Sequence, residues 1–169
     1  MSNSFKKLTL FISLLCFASY SSAGEIKKIE LQQLDGKWEG TGVFLLPGVH
    51  TKVAIDGNAD FQYDKKTKRL RTSLSGEKFM FSYNDSGYLY IDPVTDSVSW
   101  EVWDNRNKHA LYHGIRKDNI IKGERMRGKD LYELVIEQVA TDTIEFKLLI
   151  TQPDGDVYDK AVFNLWRVK

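Results

Sequence analysis

Arg125 and Arg127 are the residues with the clearest chemical potential in this chain. They fall on one side of an alternating run, with Ile121 and Gly123, while Ile120, Lys122, Glu124 and Met126 fall on the other. Two guanidiniums on one face can grip a carboxylate or phosphate through paired, charge-assisted hydrogen bonds. That holds if the face points inward; an outward face is an ordinary solvated basic strip. His50, His109 and His113 offer less. His109 and His113 are four residues apart, which on a strand is roughly 13 Å. Bonds to a metal are near 2 Å, so no metal site is expected. There is no Gly-x-Ser-x-Gly nucleophile elbow. The carboxylates, among them Asp92, Asp96, Asp154 and Asp156, fall in turn-rich stretches, where aspartate bonds its own backbone. Asn84-Asp85-Ser86 fits a glycosylation acceptor but reads as part of a turn, Asn84-Asp85-Ser86-Gly87. No catalytic residue and no cofactor is expected.

These side chains need strands to position them. Ile144, Phe146, Leu148 and Ile150 alternate with Glu145, Lys147 and Leu149. Val53, Ile55, Gly57, Ala59, Phe61 and Tyr63 alternate with more polar neighbours. A period of two marks strands with one dry and one wet face. Turn signals recur about every 10–15 residues, as sequential hairpins require. Strands are expected at 37–46, 50–63, 69–75, 77–84, 87–92, 97–104, 108–117, 119–127, 130–140, 143–151 and 156–168, with one or two merged through bends. No gap holds a crossover helix, so pairing is antiparallel. One short helix is expected at 25–34, with Ile26, Ile29 and Leu34 on a stripe and Gly36 just past its end. The fold class is therefore all-β: a single antiparallel up-and-down barrel of about 8–10 strands with a short N-terminal helix. Closure removes the sheet edges. A β-sandwich shares the same strand and turn signals and is the alternative.

The first 23 residues have the order of a secretory signal peptide. Lys6 and Lys7 precede an apolar run from Leu8 to Phe17, and Ser21 and Ala23 sit where a cut before Gly24 needs small residues. About ten apolar residues are too few to span a bilayer as a helix, which takes roughly 20. Leu14 and Leu15 are too large for a lipidation signal at Cys16. A periplasmic or secreted protein with one domain over 24–169 is the expectation. Cleavage would leave no cysteine, so stability must come from a core. It would also remove Lys6 and Lys7, taking 24 basic residues to 22 against 23 acidic ones. A near-neutral chain has no global attraction to nucleic acid or acidic lipid.

In the last strand, Ala161, Phe163 and Leu165 share one face, and Val162, Trp166 and Val168 the other. One face is core. The N-terminal helix is the favoured cover for the second, ahead of a second copy of the chain in a homodimer.

The stretch Leu34-Asp35-Gly36-Lys37-Trp38-Glu39-Gly40, after a short helix, resembles the Gly-x-Trp opening of the lipocalin and calycin group. The ending Phe163-Asn164-Leu165-Trp166-Arg167-Val168 resembles the late strand in which that group places an arginine near the tryptophan. The tyrosine-and-turn hairpins between them resemble small lipocalin-like domains of unassigned function in bacterial proteins. The resemblance implies a calyx for a small apolar ligand, plugged at one end, with Trp38 and Arg167 in a structural cation–π pair. Some barrels of this group bind haem through a histidine near the C-terminus. Here the last histidine is His113, which speaks against haem. The expected function is non-catalytic binding of a small hydrophobic or amphipathic molecule. Tyr63, Phe79, Phe81, Tyr83, Trp100, Arg125 and Arg127 are the candidate ligand contacts. A lipocalin-like isomerase or hydrolase, and an interaction module with a filled barrel, are the alternatives.

Overall fold

A computed structural model describes residues 28–45, 51–78, 81–105 and 107–169. The proposed cleavage region and His50 and Phe79 lie outside them. Ten antiparallel strands close into one up-and-down barrel: β1 (Gly36–Leu45), β2 (Lys52–Asp64), β3 (Arg69–Lys78), β4 (Phe81–Ile91), β5 (Ser97–Asp104), β6 (His109–Lys117), β7 (Ile120–Arg127), β8 (Asp130–Ala140), β9 (Thr143–Thr151) and β10 (Val157–Arg167). Each strand pairs with its sequence neighbours. β1 and β10 complete the ring, with Trp38 opposite Arg167 and Gly40 opposite Leu165. Closure excludes the sandwich.

The alternation read from the sequence sets the two faces. Ile55, Ala59 and Phe61 of β2 and Ile144, Phe146, Leu148 and Ile150 of β9 are buried. Outside, Lys122 bridges Glu124 and Glu133, and Lys147 bridges Glu145 and Glu137, as expected of a wet face.

Three expectations need correction. The first concerns Asn84-Asp85-Ser86-Gly87, which is no turn. It runs through the middle of β4, paired with Ser75, Leu74, Ser73 and Thr72 of β3. Turn-type residues are tolerated there because β3 supplies the backbone partners. Gly87 is required by close approach, since a Cβ at that position would lie 2.0 Å from the Glu101 carbonyl oxygen. The expected strands 77–84 and 87–92 are thus mostly one.

The second concerns the helix. Only α1 (Leu31–Leu34) is helical among the described residues. Lys28 to Glu30 are not helical because the barrel rim captures their backbone. The Ile29 N–H donates to the Asp118 carbonyl at 2.8 Å, and Arg116 Nη1 donates to the Ile29 carbonyl at 3.1 Å.

The third concerns what the helix covers. It does not lie over Trp166, which stays 44% exposed, with Val168 exposed beside it. Ile29, Leu31 and Leu34 instead join the core cluster, which also holds Trp38, Phe61 and Leu70. The barrel end offers these side chains a continuous apolar enclosure, which one outer strand face does not.

Two arginines fasten this plug. Arg116, itself buried, reaches Glu30 Oε2 at 2.8 Å and Asp96 Oδ1 at 2.7 Å, and Lys28 also binds Asp96. Arg167 donates to the carbonyls of Gln33 and Asp35. Its guanidinium carbon stands 4.3 Å from the Trp38 ring centroid. Trp38 Nε1 donates to the Leu34 carbonyl at 2.8 Å, tying strand to helix.

Candidate ligand-binding site

The core does not fill the barrel. Above the plug, Trp100, Phe146 and Phe163 form an aromatic layer, with centroids 6.2 Å apart for the first pair and 6.3 Å for the second. All three are buried. Phe163 lies on a shelf of glycines. A Cβ at Gly57 would stand 2.5 Å from its ring, and one at Gly42 2.6 Å. Gly57 and Gly76, whose Cβ would also meet the Phe163 ring, are register partners across β2 and β3, so the sheet sets them side by side. The ring occupies the space that side chains there would need.

Beyond this layer the barrel opens into a cavity of about 810 Å³. Its apolar lining comes from Phe44 of β1, Val53 and Ile55 of β2 and Leu148 of β9, with Gly76 of β3, and from Val102 of β5 and Ala110 of β6. Polar groups line it from β4 to β8: Tyr83 and Asp85 of β4, Asp104 of β5, Lys108 just before β6, His109 and Tyr112 of β6, Arg125 and Arg127 of β7 and Tyr132 of β8.

The inward parity of Arg125 follows from its strand, on which Ile121 is fully buried. Its guanidinium carbon lies 4.9 Å from the Tyr112 ring centroid and 5.5 Å from that of Tyr132. Register places the last contact, since Arg125 pairs with Tyr132 across β7 and β8. Arg125 Nε is buried and has no hydrogen-bond acceptor among the described residues. Arg127, one pleat nearer the mouth, is exposed and lies 5.9 Å from the Tyr132 centroid. The Tyr83 hydroxyl donates to Asp85. Burial, then the Asp85 charge, push the Tyr83 phenol well above its usual value. Burial also raises Tyr112, with Arg125 opposing it. Both phenols are therefore neutral donors at physiological pH.

The other candidates are spread out. Tyr63 packs against the core at the plugged end, where its N–H donates to Asp35 Oδ1 at 2.8 Å, and it does not line the cavity. Trp100 is fully buried in the aromatic layer below the cavity. Phe81 begins β4, its side chain outside the description, and Phe79 lies outside altogether. Tyr83, Arg125 and Arg127 come together on the lining. Asp85, Asp104, Tyr112 and Tyr132 were missed by the sequence reading. Asp85 shares the parity of Tyr83, Gly87 and Leu89, a signal hidden by reading its neighbours as a turn. Among the described residues no cluster of three or more His, Cys, Asp or Glu could hold a metal.

No family model matches the chain, and no curated protein sequence matches it. Solved structures do match. A protein of unknown function from the DUF3598 family of Nostoc punctiforme aligns at TM-score 0.55 and 13% identity, over 84% of this chain and 50% of that one. The chain thus spans about half the length of that protein. Rv2717c from M. tuberculosis aligns at TM-score 0.60 and 14% identity, over 82% of this chain and 95% of that one. The S-type phycobiliprotein lyase CPES from Guillardia theta aligns at TM-score 0.57 and 13% identity, over 82% and 90%. The chain shares with them a lipocalin-like barrel fold. At such identities the likeness extends to the fold alone.

Proposed function

We propose that this protein binds a small amphipathic molecule carrying an anionic group, and that it does so in the export compartment without chemical change to the ligand. The observation that carries the reading is Arg125 Nε, a charged donor buried without an acceptor on the wall of an 810 Å³ cavity. Ligand pockets run to about 300–1,000 Å³ and are mostly apolar with a few placed polar groups. A buried donor is costly to leave unpaired, and a ligand carboxylate would satisfy it. Arg127 at the mouth would draw the anion in. Phe44, Val53, Ile55 and Leu148 would take the apolar body. The likeness to a phycobiliprotein lyase fits a small-molecule role at the level of fold. A module with a filled barrel is less well supported, because packing fills only the plugged half.

The test is calorimetric titration of the purified protein with dodecanoate and with dodecanol. The acid should bind, and Arg125→Gln should weaken it by about 10–100-fold, the loss expected for a charge-assisted contact of roughly 1.5–3 kcal/mol. Equal binding of acid and alcohol, or an unaffected variant, would refute the role of the arginine. Native mass spectrometry of protein from its own host would give the mass of any retained molecule. N-terminal sequencing of the same sample would show whether the chain starts at Gly24.

A further inference from the structure

The guanidinium of Arg125 is held between two tyrosines. Glu124 pairs with His113 across β7 and β6, so Arg125 and Tyr112 continue the same register, while on the other side Arg125 pairs with Tyr132 of β8. The row Tyr112–Arg125–Tyr132 therefore crosses three neighbouring strands, and all three residues line the cavity. The guanidinium carbon lies 4.9 Å from the Tyr112 centroid and 5.5 Å from that of Tyr132, both within reach of a cation–π contact. Tyr112 is itself buried, so its ring is fixed by the packing around it. Arg127 is held less firmly: it is exposed and stands 5.9 Å from the Tyr132 ring.

Holding matters because arginine is long and flexible. An arginine that must be ordered when a ligand arrives subtracts that cost from affinity. A guanidinium stacks well on aromatic faces, so rings can order it beforehand without consuming its hydrogen-bond donors. A protein carboxylate in place of a ring would also order it, but would compete with the ligand anion for the same donors. Between its two rings Arg125 keeps its Nε donor unclaimed, with no acceptor among the described residues. Resting on the anion-binding reading above, we infer that Tyr112 and Tyr132 are positioning residues: their rings preset the Arg125 guanidinium for an anion that meets it at its Nε edge. They act on the charged end of the ligand, through Arg125, and not on its apolar body.

The experiment is a double-mutant cycle, read by calorimetric titration with dodecanoate and dodecanol. It compares the wild type, Tyr132→Leu, Arg125→Gln and the pair, with near-ultraviolet circular dichroism confirming the fold. Tyr132 is the ring to change, being less buried than Tyr112. Tyr132→Leu should weaken dodecanoate by about three- to tenfold, the cost of ordering one long side chain anew. Dodecanol should change by less than about twofold, the scatter of independent sites. In the Arg125→Gln background the same substitution should cost dodecanoate less than about twofold, since the group it positions is gone. Tyr132→Phe keeps the ring and should bind dodecanoate within about twofold of the wild type. If Tyr132→Leu does not fold, Tyr132→Met, closer to tyrosine in length, carries the same expectations. No loss on removing the ring, an equal loss for acid and alcohol, an equal loss in both backgrounds, or a loss in Tyr132→Phe as large as in Tyr132→Leu overturns the inference and leaves the anion-binding reading standing. Failure of dodecanoate to bind the wild type, or binding unaffected by Arg125→Gln, overturns both.

Discussion

Tyr83 and Tyr112 show how single side chains of the lining are held in one protonation state. Each is pushed above the usual tyrosine value of 10.0, chiefly by burial, with Asp85 adding to the effect at Tyr83 and Arg125 opposing it at Tyr112. The neutral phenol is thus the favoured form in the folded protein. Its stabilising contribution is complete below the ordinary value and falls as pH rises past it, once the unfolded chain can ionise and the folded one cannot. In an ultraviolet titration these two should ionise above the usual tyrosine value of 10.0. Tyr83→Phe should remove part of the late step. A single transition near pH 10 in protein that remains folded would contradict the buried, Asp85-linked environment. Little of this was legible in the sequence. Arg125 and Arg127 announced themselves by parity with Ile121. Asp85 did not, because aspartate between asparagine and Ser-Gly carries the same letters in a turn and in a strand. Its role depends on β3 lying alongside, which a local reading does not see.

At the scale of elements, the plugged end depends on charge. Lys28 and then Arg116 hold the Asp96 carboxyl below its usual value of 3.8. A carboxyl lowered in the folded state contributes stability that is fully present above the unfolded value and lost as pH falls through the folded one. Asp96→Asn should therefore lower the melting temperature at neutral pH, and the gap from wild type should close as pH falls below about 4. Trp38 fluorescence reports the event, since its indole binds the Leu34 carbonyl at 2.8 Å. A gap constant between pH 7 and pH 3 would show that the Lys28–Asp96–Arg116 cluster does not anchor the segment. The strands themselves were largely legible, and 97–104, 130–140 and 143–151 match β5, β8 and β9 at both ends. The helix was overextended over Lys28 to Glu30, because a stripe that takes in Ile29 and Leu34 fits a helix as well as it fits apolar side chains dropping into a barrel. What decides between them is Arg116, 86 positions beyond Glu30, and no periodicity reports such a distance.

The whole molecule has two storeys, and they divide the work. The plugged half carries the buried core: Ile29, Leu34, Trp38, Phe61 and Leu70 are each at most 1% exposed. The open half carries the cavity, its polar lining groups and the Arg125 Nε, which has no hydrogen-bond acceptor among the described residues. Burial in the first half stabilises the fold, which leaves the second free to keep groups that a protein core would exclude. A ligand of the proposed class should therefore stabilise the protein unevenly. At a free concentration of 100 times Kd it adds about 2.7 kcal/mol. For a chain of this size that is about 5–10 °C in Tm. Hydrogen exchange should slow most where β4, β5, β6 and β7 reach the mouth, around Tyr83, Val102, Ala110 and Arg125. Amides near Phe61 and Leu70 should change little in local exchange, being already closed in. Protection confined to the plugged end, or a thermal shift unaccompanied by slower exchange at the mouth, would place the ligand elsewhere on the barrel.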